Sequence, residues 1–347
     1  MGNKATQPRS FNTIRRSQTK VRAKRRQIQR VVLLAMFATV ALILALLLVL
    51  GGFAIVNAII DASANKPTND NTPPQPVGTL TFIQTTKSAD DISNGELILV
   101  NQDNKYDPDK ALKSLVRIYD YRAKNSDGKF CYNLVEQQYK LQSGAIDALN
   151  AMMLKNNEIT GDIIKITDAY RTLQAQEGKD IDPGYSDHHT GYCFSIRYEG
   201  GNHIEADHWI YLNAHKYGFV VRYPDGKESI TGVSGYTYCL RYVGVAHATY
   251  MYENGLCMEE YLDLLKNSYS SAAMRLTISA ADGFQYDVYY VAASGEEVTT
   301  IDVPTSDFAY TVSGDNRGGF IVTVKKPIAA ALASNHLHTL SIIRRRK

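Results

Sequence analysis

Hydrophobic and polar residues fall along this chain in blocks of different period, and each period predicts a different element. Val31 to Ile60 is an apolar run of thirty residues without a charged side chain, interrupted only by small or weakly polar positions such as Thr39, Gly51, Gly52 and Asn57. A bilayer core takes about 20 helical residues, so the run predicts a transmembrane helix. The apolar core of a cleaved signal peptide is shorter, about 7–15 residues. Further on, GELILVN (Gly95–Asn101) reads as a buried strand, and Ile163, Ile164 and Ile166 as a short one. Leu141, Ala145, Leu149 and Met152 recur at helical spacing and predict an amphipathic helix over Leu134–Leu154, its stripe serving core packing. His203–Tyr217 reads as a helix stopped by Gly218, Tyr223–Lys227 as a turn between strands, and Met258–Leu265 as a closing helix. Beyond Met274 the period becomes two: Phe284, Tyr286, Val288 and Tyr290, then Phe308, Tyr310 and Val312, then Phe320, Val322 and Val324. With Asp282-Gly283 and Gly318-Gly319 as turns, this predicts a small antiparallel β module over 274–325.

Charge divides the chain further. Residues 1–30 hold ten Lys or Arg and no acid, which predicts a solvated basic tail able to lie against anionic lipid. The positive-inside bias places that tail in the cytoplasm, residues 31–60 in the cell membrane as a single pass, and the rest outside. Residues 61–78 carry Pro67, Pro73, Pro74 and Pro76 without an apolar face, an extended linker. A folded domain is expected over 79–270 and a second basic tail over 326–347, ending Arg344-Arg345-Arg346-Lys347. The formal charge of +3 is concentrated at the ends, and no nucleic-acid partner is expected. Cys131, Cys193, Cys239 and Cys257 are irregularly spaced and form no disulfide framework.

The candidate chemistry lies between Asp182 and Leu256. Ser186, His188 and Gly191 fall in the run YSDHHTGYCFSIRY, and Arg241-Tyr242-Val243-Gly244 close the run GYTYCLRYVG. Upstream, Tyr170, Arg171 and Gln176 fall in ITDAYRTLQAQ. These segments resemble the VanY-like D-alanyl-D-alanine carboxypeptidases, zinc enzymes that trim the C-terminal D-alanine from peptidoglycan peptides. Their signature is Ser-x-His-x-x-Gly-x-Ala-x-Asp, then Glu-Pro-Trp-His before Arg-Tyr-Val-Gly. The resemblance covers about Gly78 to Leu265. It implies an α+β domain of the Hedgehog/D-Ala-D-Ala-peptidase type, with Arg171 facing a terminal carboxylate and Ser186 and Gln176 also lining the substrate.

Carried over one position at a time, the match is uneven. His188 stands at the first zinc ligand. Ser195 replaces the liganding Asp, Cys239 the last liganding His, Tyr236 the general-base Glu and Tyr238 the Trp, while Cys193 stands at the family's Ala. A hydroxyl is a poor substitute for a carboxylate on a dication. A phenol, with a pKa of about 10, is a poor base at neutral pH. The remaining carboxylates nearby, Asp187, Glu205 and Asp207, are out of register. Cys193 and Ser195, two apart on a strand, point the same way. Three readings of the cysteines stay open: a rebuilt zinc site of His188, Cys193 and Cys239, a Cys193–Cys239 disulfide, or two small side chains filling the space a metal left. Accordingly no cofactor is expected, with zinc the alternative. The functional expectation is a catalytically silent, membrane-tethered homologue that binds peptidoglycan stem peptides or a cell-wall protein. The alternatives are a carboxypeptidase with a rearranged His/Cys zinc site, and an interaction module that no longer reads the peptide.

Overall fold

The computed structural model describes residues 80–107, 114–305 and 308–326. The expected cytoplasmic tail, transmembrane helix, linker and most of the C-terminal tail lie outside the described residues. Among the described residues no helix is long and apolar enough to cross a membrane.

In chain order the strands are β1 (Phe82–Ser88), β2 (Leu115–Arg117), β3 (Tyr132–Leu134), β4 (Lys140–Gln142), β5 (Ile164–Asp168), β6 (Cys193–Tyr198), β7 (Phe219–Val221) and β8 (Cys239–Tyr242). They are followed by β9 (Leu276–Ser279), β10 (Gln285–Ala292), β11 (Val298–Pro304), β12 (Ala309–Gly314) and β13 (Gly319–Lys326). The longer helices are α1 (Ser143–Thr160), α2 (Val245–Asn254) and α3 (Met258–Ser268). The central sheet has the order β3-β5-β6-β8-β7, with β3 parallel to β5 and the other pairs antiparallel.

Alternation on β6 explains how this sheet serves two purposes. Phe194 and Ile196 face α1 and join a core with Leu149, Met152, Met153, Ile164, Ile166 and Leu240. Cys193, Ser195 and Arg197 therefore leave the opposite face, as the period of two requires. Cys239 leaves β8 on that same side, meeting Ser195 side chain to side chain.

The second half of the fold rests on α2 and α3. Met251, Tyr261, Leu262 and Leu265 share a core with Leu276, Ile278, Val288, Tyr290 and Ile321. The C-terminal strands form an antiparallel sheet of order β12-β13-β10-β9, with turns at Asp282-Gly283 and at Arg317-Gly318. The opening strand β1 pairs along its whole length with β11, so chain from both ends of the described residues builds this half.

Several expected elements differ. Of Gly95–Asn101, Leu97 onward is buried, but the segment makes no ladder: Arg241 Nη2 donates to the carbonyls of Glu96 and Ile98, Arg222 Nη2 to that of Val100, and Asn316 Nδ2 to that of Leu99. Side chains satisfy this backbone in place of a neighbouring strand. The helix expected over Leu134–Leu154 begins at Ser143, because Lys140–Gln142 is taken by pairing with β2. Gly161, left-handed at φ 76°, ends it. The helix expected over His203–Tyr217 starts only at Trp209 and tightens to a 3-10 turn over Ala214–Tyr217 before Gly218. A short helix, Glu228–Thr231, follows the Tyr223–Lys227 turn before β8.

Candidate functional site

The site is assembled where three strands are held in register. Asp168 at the end of β5 pairs with Ser195 of β6, and Ser195 pairs with Cys239 of β8. A bulge between Ile166 and Asp168 advances β5 by one residue, which brings Asp168 into the row. His188 arrives from a 3-10 turn, Asp187–Thr190, laid over this row. The turn ends at Gly191 with φ 71°, a left-handed backbone angle that favours glycine, and a Cβ there would stand 2.6 Å from Leu115 Cδ2.

The turn is anchored from beneath by charge. Asp187 is fully buried between two guanidiniums: Arg222 Nε donates to its Oδ2 at 2.7 Å, and Arg241 Nη1 to its Oδ1. Arg222 also grips Glu259 of α3 at 2.8 and 3.1 Å. Asp187 therefore points away from the cleft, and Glu205 is a surface group that accepts from Tyr198 Oη at 2.7 Å. His189 is also structural, with Nδ1 donating to the Arg171 carbonyl at 2.8 Å and Nε2 accepting from Gly184 N at 3.0 Å.

His188 Nδ1 donates to the Ala169 carbonyl at 2.7 Å, which leaves the Nε2 lone pair facing the row. Ser195 Oγ lies 3.5 Å from that Nε2 and 3.2 Å from Cys239 Sγ; Cys239 Sγ is 3.9 Å from Nε2. All three side chains are buried. A hydrogen bond from Cys193 and the neighbouring imidazole hold the Cys239 thiol well below its ordinary range against the cost of burial. Burial disfavours a charged His188, but the Cys239 contact outweighs it and raises its pKa. Burial, then the Cys239 contact, push Cys193 far upward, so Cys193 keeps its proton.

All four cysteines are free thiols, which sets the structure apart from the disulfide reading. Cys193 pairs in register with Arg241, one step diagonal to Cys239. The donor atoms of His188, Cys193 and Cys239 nonetheless lie within 4.8 Å of one another. Bond lengths of about 2.3 Å to sulfur and 2.0–2.1 Å to nitrogen put tetrahedral ligand atoms some 3.5–3.8 Å apart. The residues present thus fit a His/Cys/Cys ion site and do not fit a ligand set needing a carboxylate, since Ser195 is neutral.

The row opens into a cleft of about 480 Å³ lined by Asp168, Arg171, Gln176, Lys179, Asp180, Ser186, His188, Ser195, Arg197, Tyr223, Tyr236, Tyr238 and Cys239 among others. Arg171 Nε donates to Asp168 Oδ2 at 2.9 Å and its Nη1 to Gln176 Oε1 at 2.9 Å. Burial alone would raise the Asp168 carboxyl; the Arg171 contacts outweigh it and hold the pKa below the usual range. Gln176 is buried with both ends of its amide engaged, since Nε2 donates to the Ile181 carbonyl at 2.7 Å. It positions Arg171. Ser186 Oγ is buried in the cleft wall, without a hydrogen-bond partner among the described residues. Tyr236 Oη donates to Asp180, a contact that pushes the phenol up to about 12, and burial adds to it.

Lys179, Asp168, Asp180, Arg197 and Tyr223 line the cleft without being marked by the motifs. Asp168 and Asp180 belong to no pattern at these positions, and their approach depends on the bulge and on the loop after Gln176. Arg197 and Tyr223 could have been suspected, the first from its i+2 spacing to Ser195, the second from its place beside Arg222.

A mixed sheet backed by α1, with a histidine turn and an arginine facing one strand pair, defines an α+β domain of the D,D-peptidase class. Residues 179–245 match the sequence model of the VanY D-alanyl-D-alanine carboxypeptidase family. The D-alanyl-D-alanine carboxypeptidase of Enterococcus faecium is 37% identical over 147 residues, covering 41% of this chain and 44% of that protein. The D-alanyl-D-alanine carboxypeptidase of Enterococcus faecalis is 43% identical over 88 residues, covering 24% of this chain and 32% of that one. The chain thus spans less than half the length of either relative. Among solved structures, the vancomycin-resistance D,D-dipeptidase VanXYg, bound to a D-Ala-D-Ala phosphinate analogue, aligns with a TM-score of 0.60 at 25% identity. That alignment covers 71% of this chain and all of the other.

Proposed function

We propose that this protein is a membrane-tethered, extracellular recognition domain for peptides ending in D-Ala-D-Ala, of the kind found in peptidoglycan stems, and that it does not hydrolyse them. The observation that carries this reading is the row itself. Ser195 and Cys239 satisfy each other and His188 where the family places zinc ligands, while Tyr236, at the general-base position, donates to Asp180. A group that is donating its proton, with a pKa near 12, does not remove one from water at neutral pH. Recognition is retained in Arg171, preset by Asp168 and Gln176, and in the unpartnered hydroxyl of Ser186, which a bound peptide would satisfy. Titration of acetyl-Lys-D-Ala-D-Ala into the chain, with free D-alanine assayed in the same sample, tests it. The expected outcome is saturable binding without release, weakened about tenfold or more in Arg171→Ala through loss of a charge-assisted contact.

A second reading is favoured by the convergence of His188, Cys193 and Cys239. These three would hold a thiophilic divalent ion such as zinc, and such an ion supplies an acidified water and a polarising charge when bound. In that case Arg171 would still orient the terminal carboxylate. Zinc measured on protein purified under reducing conditions, with Cys239→Ala alongside, decides it. Stoichiometric metal lost in the variant supports this reading, and no metal in either removes it.

A further inference from the structure

The cleft holds a second guanidinium that no acid among the described residues neutralises. Arg197 lies two residues beyond Ser195 on β6, so its side chain leaves the same face, displaced roughly 7 Å along the strand. Its guanidinium lies 3.9 Å from the centre of the Tyr238 ring, and Nη1 donates to His203 Nδ1. Neither contact supplies a formal negative charge. Among the described residues no carboxylate pairs with it: Glu199 bonds Lys165, and Glu205 accepts from Tyr198. Arg171 differs in having Asp168 as a standing counter-ion.

A guanidinium has five N–H donors in a rigid fork; among the described residues Arg197 donates to His203 and contacts the Tyr238 hydroxyl, which leaves donors for a guest. The Tyr238 ring beneath it restrains the guanidinium, which lowers the entropy lost when it takes a planar anion. The arrangement is that of a carboxylate receptor awaiting its guest.

We infer that Arg197, stacked on Tyr238, is a second anchor that selects peptides bearing a side-chain carboxylate upstream of their C-terminal residue. This rests on the proposed binding of a C-terminal carboxylate in the same cleft. Arg171 and Ser186 hold the end of the peptide, and Arg197, one pleat beyond Ser195, reads a more distant acidic group. The ligand class is an acidic peptide with two carboxylates.

The test uses the full chain and two isosteric peptides, acetyl-Glu-D-Ala-D-Ala and acetyl-Gln-D-Ala-D-Ala, titrated calorimetrically at low salt. The Glu peptide is expected to bind about five- to tenfold more tightly, a charge-assisted contact discounted for solvent access. Arg197→Gln should bring that ratio to about one while leaving the affinity for the Gln peptide within about twofold, and Arg197→Lys should keep part of the preference. Equal binding of both peptides by the unaltered chain overturns the inference and leaves the recognition reading standing, as does a ratio that survives in Arg197→Gln. Loss of both peptides in Arg197→Gln, with the preference also gone in Arg197→Lys, overturns it in favour of a structural role. Failure of either peptide to bind the unaltered chain removes the recognition reading, and this inference with it.

Discussion

Ser195 and Cys239, where the sequence resemblance implies metal ligands, have side chains 3.2 Å apart with His188 Nε2 close to both. The two motifs made this meeting legible from the chain alone, because the resemblance implies a metal-ligand position at Ser195 and another at Cys239. The fate of the carboxylates was not legible. Asp187, adjacent to His188 in sequence, is turned away by Arg222 and Arg241, whereas Asp168 and Asp180 enter from segments with no acidic motif. His215 stacks on Tyr252 at 3.8 Å, and among the described residues its buried Nδ1 has no hydrogen-bond partner. If the scaffold around the row is intact, Ser195→Asp, Tyr236→Glu and Cys239→His introduced together should create zinc binding at about one ion per chain, because they restore two ligands beside His188 and a base. Metal analysis after dialysis checks this, and an unmetallated triple variant would mean that the row no longer has room for the ion.

Among the elements, the turn carrying His188 depends on an ionic support that no pattern of hydrophobic positions reveals. Arg222, Arg241 and Asp187 are all fully buried, and the same two arginines cap the carbonyls of Glu96, Ile98 and Val100. That is why the apolar segment GELILVN lies extended in the core without joining a sheet. Elements whose burial is purely apolar were read well: β5 and α3 lie close to where their periodicity places them, as do the turns at Asp282-Gly283 and Gly318. Asp187→Asn should leave two buried guanidiniums short of an anion and cost about 3–5 kcal/mol of stability. A urea unfolding curve measures the loss; a change below about 1 kcal/mol would mean that Glu259 and the carbonyls suffice.

At the scale of the whole molecule, His247 joins parts that are far apart in sequence. From α2 its Nδ1 meets Tyr261 Oη of α3 at 2.7 Å, and its Nε2 meets Thr323 Oγ1 of β13 at 2.9 Å. A neutral ring serves both by donating at one nitrogen and accepting at the other. Burial depresses its pKa to about 3, from an ordinary value of 6.5. The unfolded chain therefore takes up a proton near pH 6.5 that the folded chain refuses. Its contribution to stability is complete above that pH and falls steadily as the pH drops toward 3. Thermal unfolding from pH 7 to pH 4 should show a declining midpoint in the unaltered chain and a shallower decline in His247→Gln. Parallel slopes would exclude His247 as the source. The hydroxyl partners of this ring come from α3 and β13, so the junction became visible only once those elements were placed against α2.

The most direct measurement of the central claim is free D-alanine, assayed while acetyl-Lys-D-Ala-D-Ala saturates the chain and repeated with added zinc. The account predicts saturation that requires Arg171 and no D-alanine above the uncatalysed background in either condition. Turnover that disappears in Cys239→Ala would contradict it and make the row of Ser195, His188 and Cys239 a working hydrolytic centre.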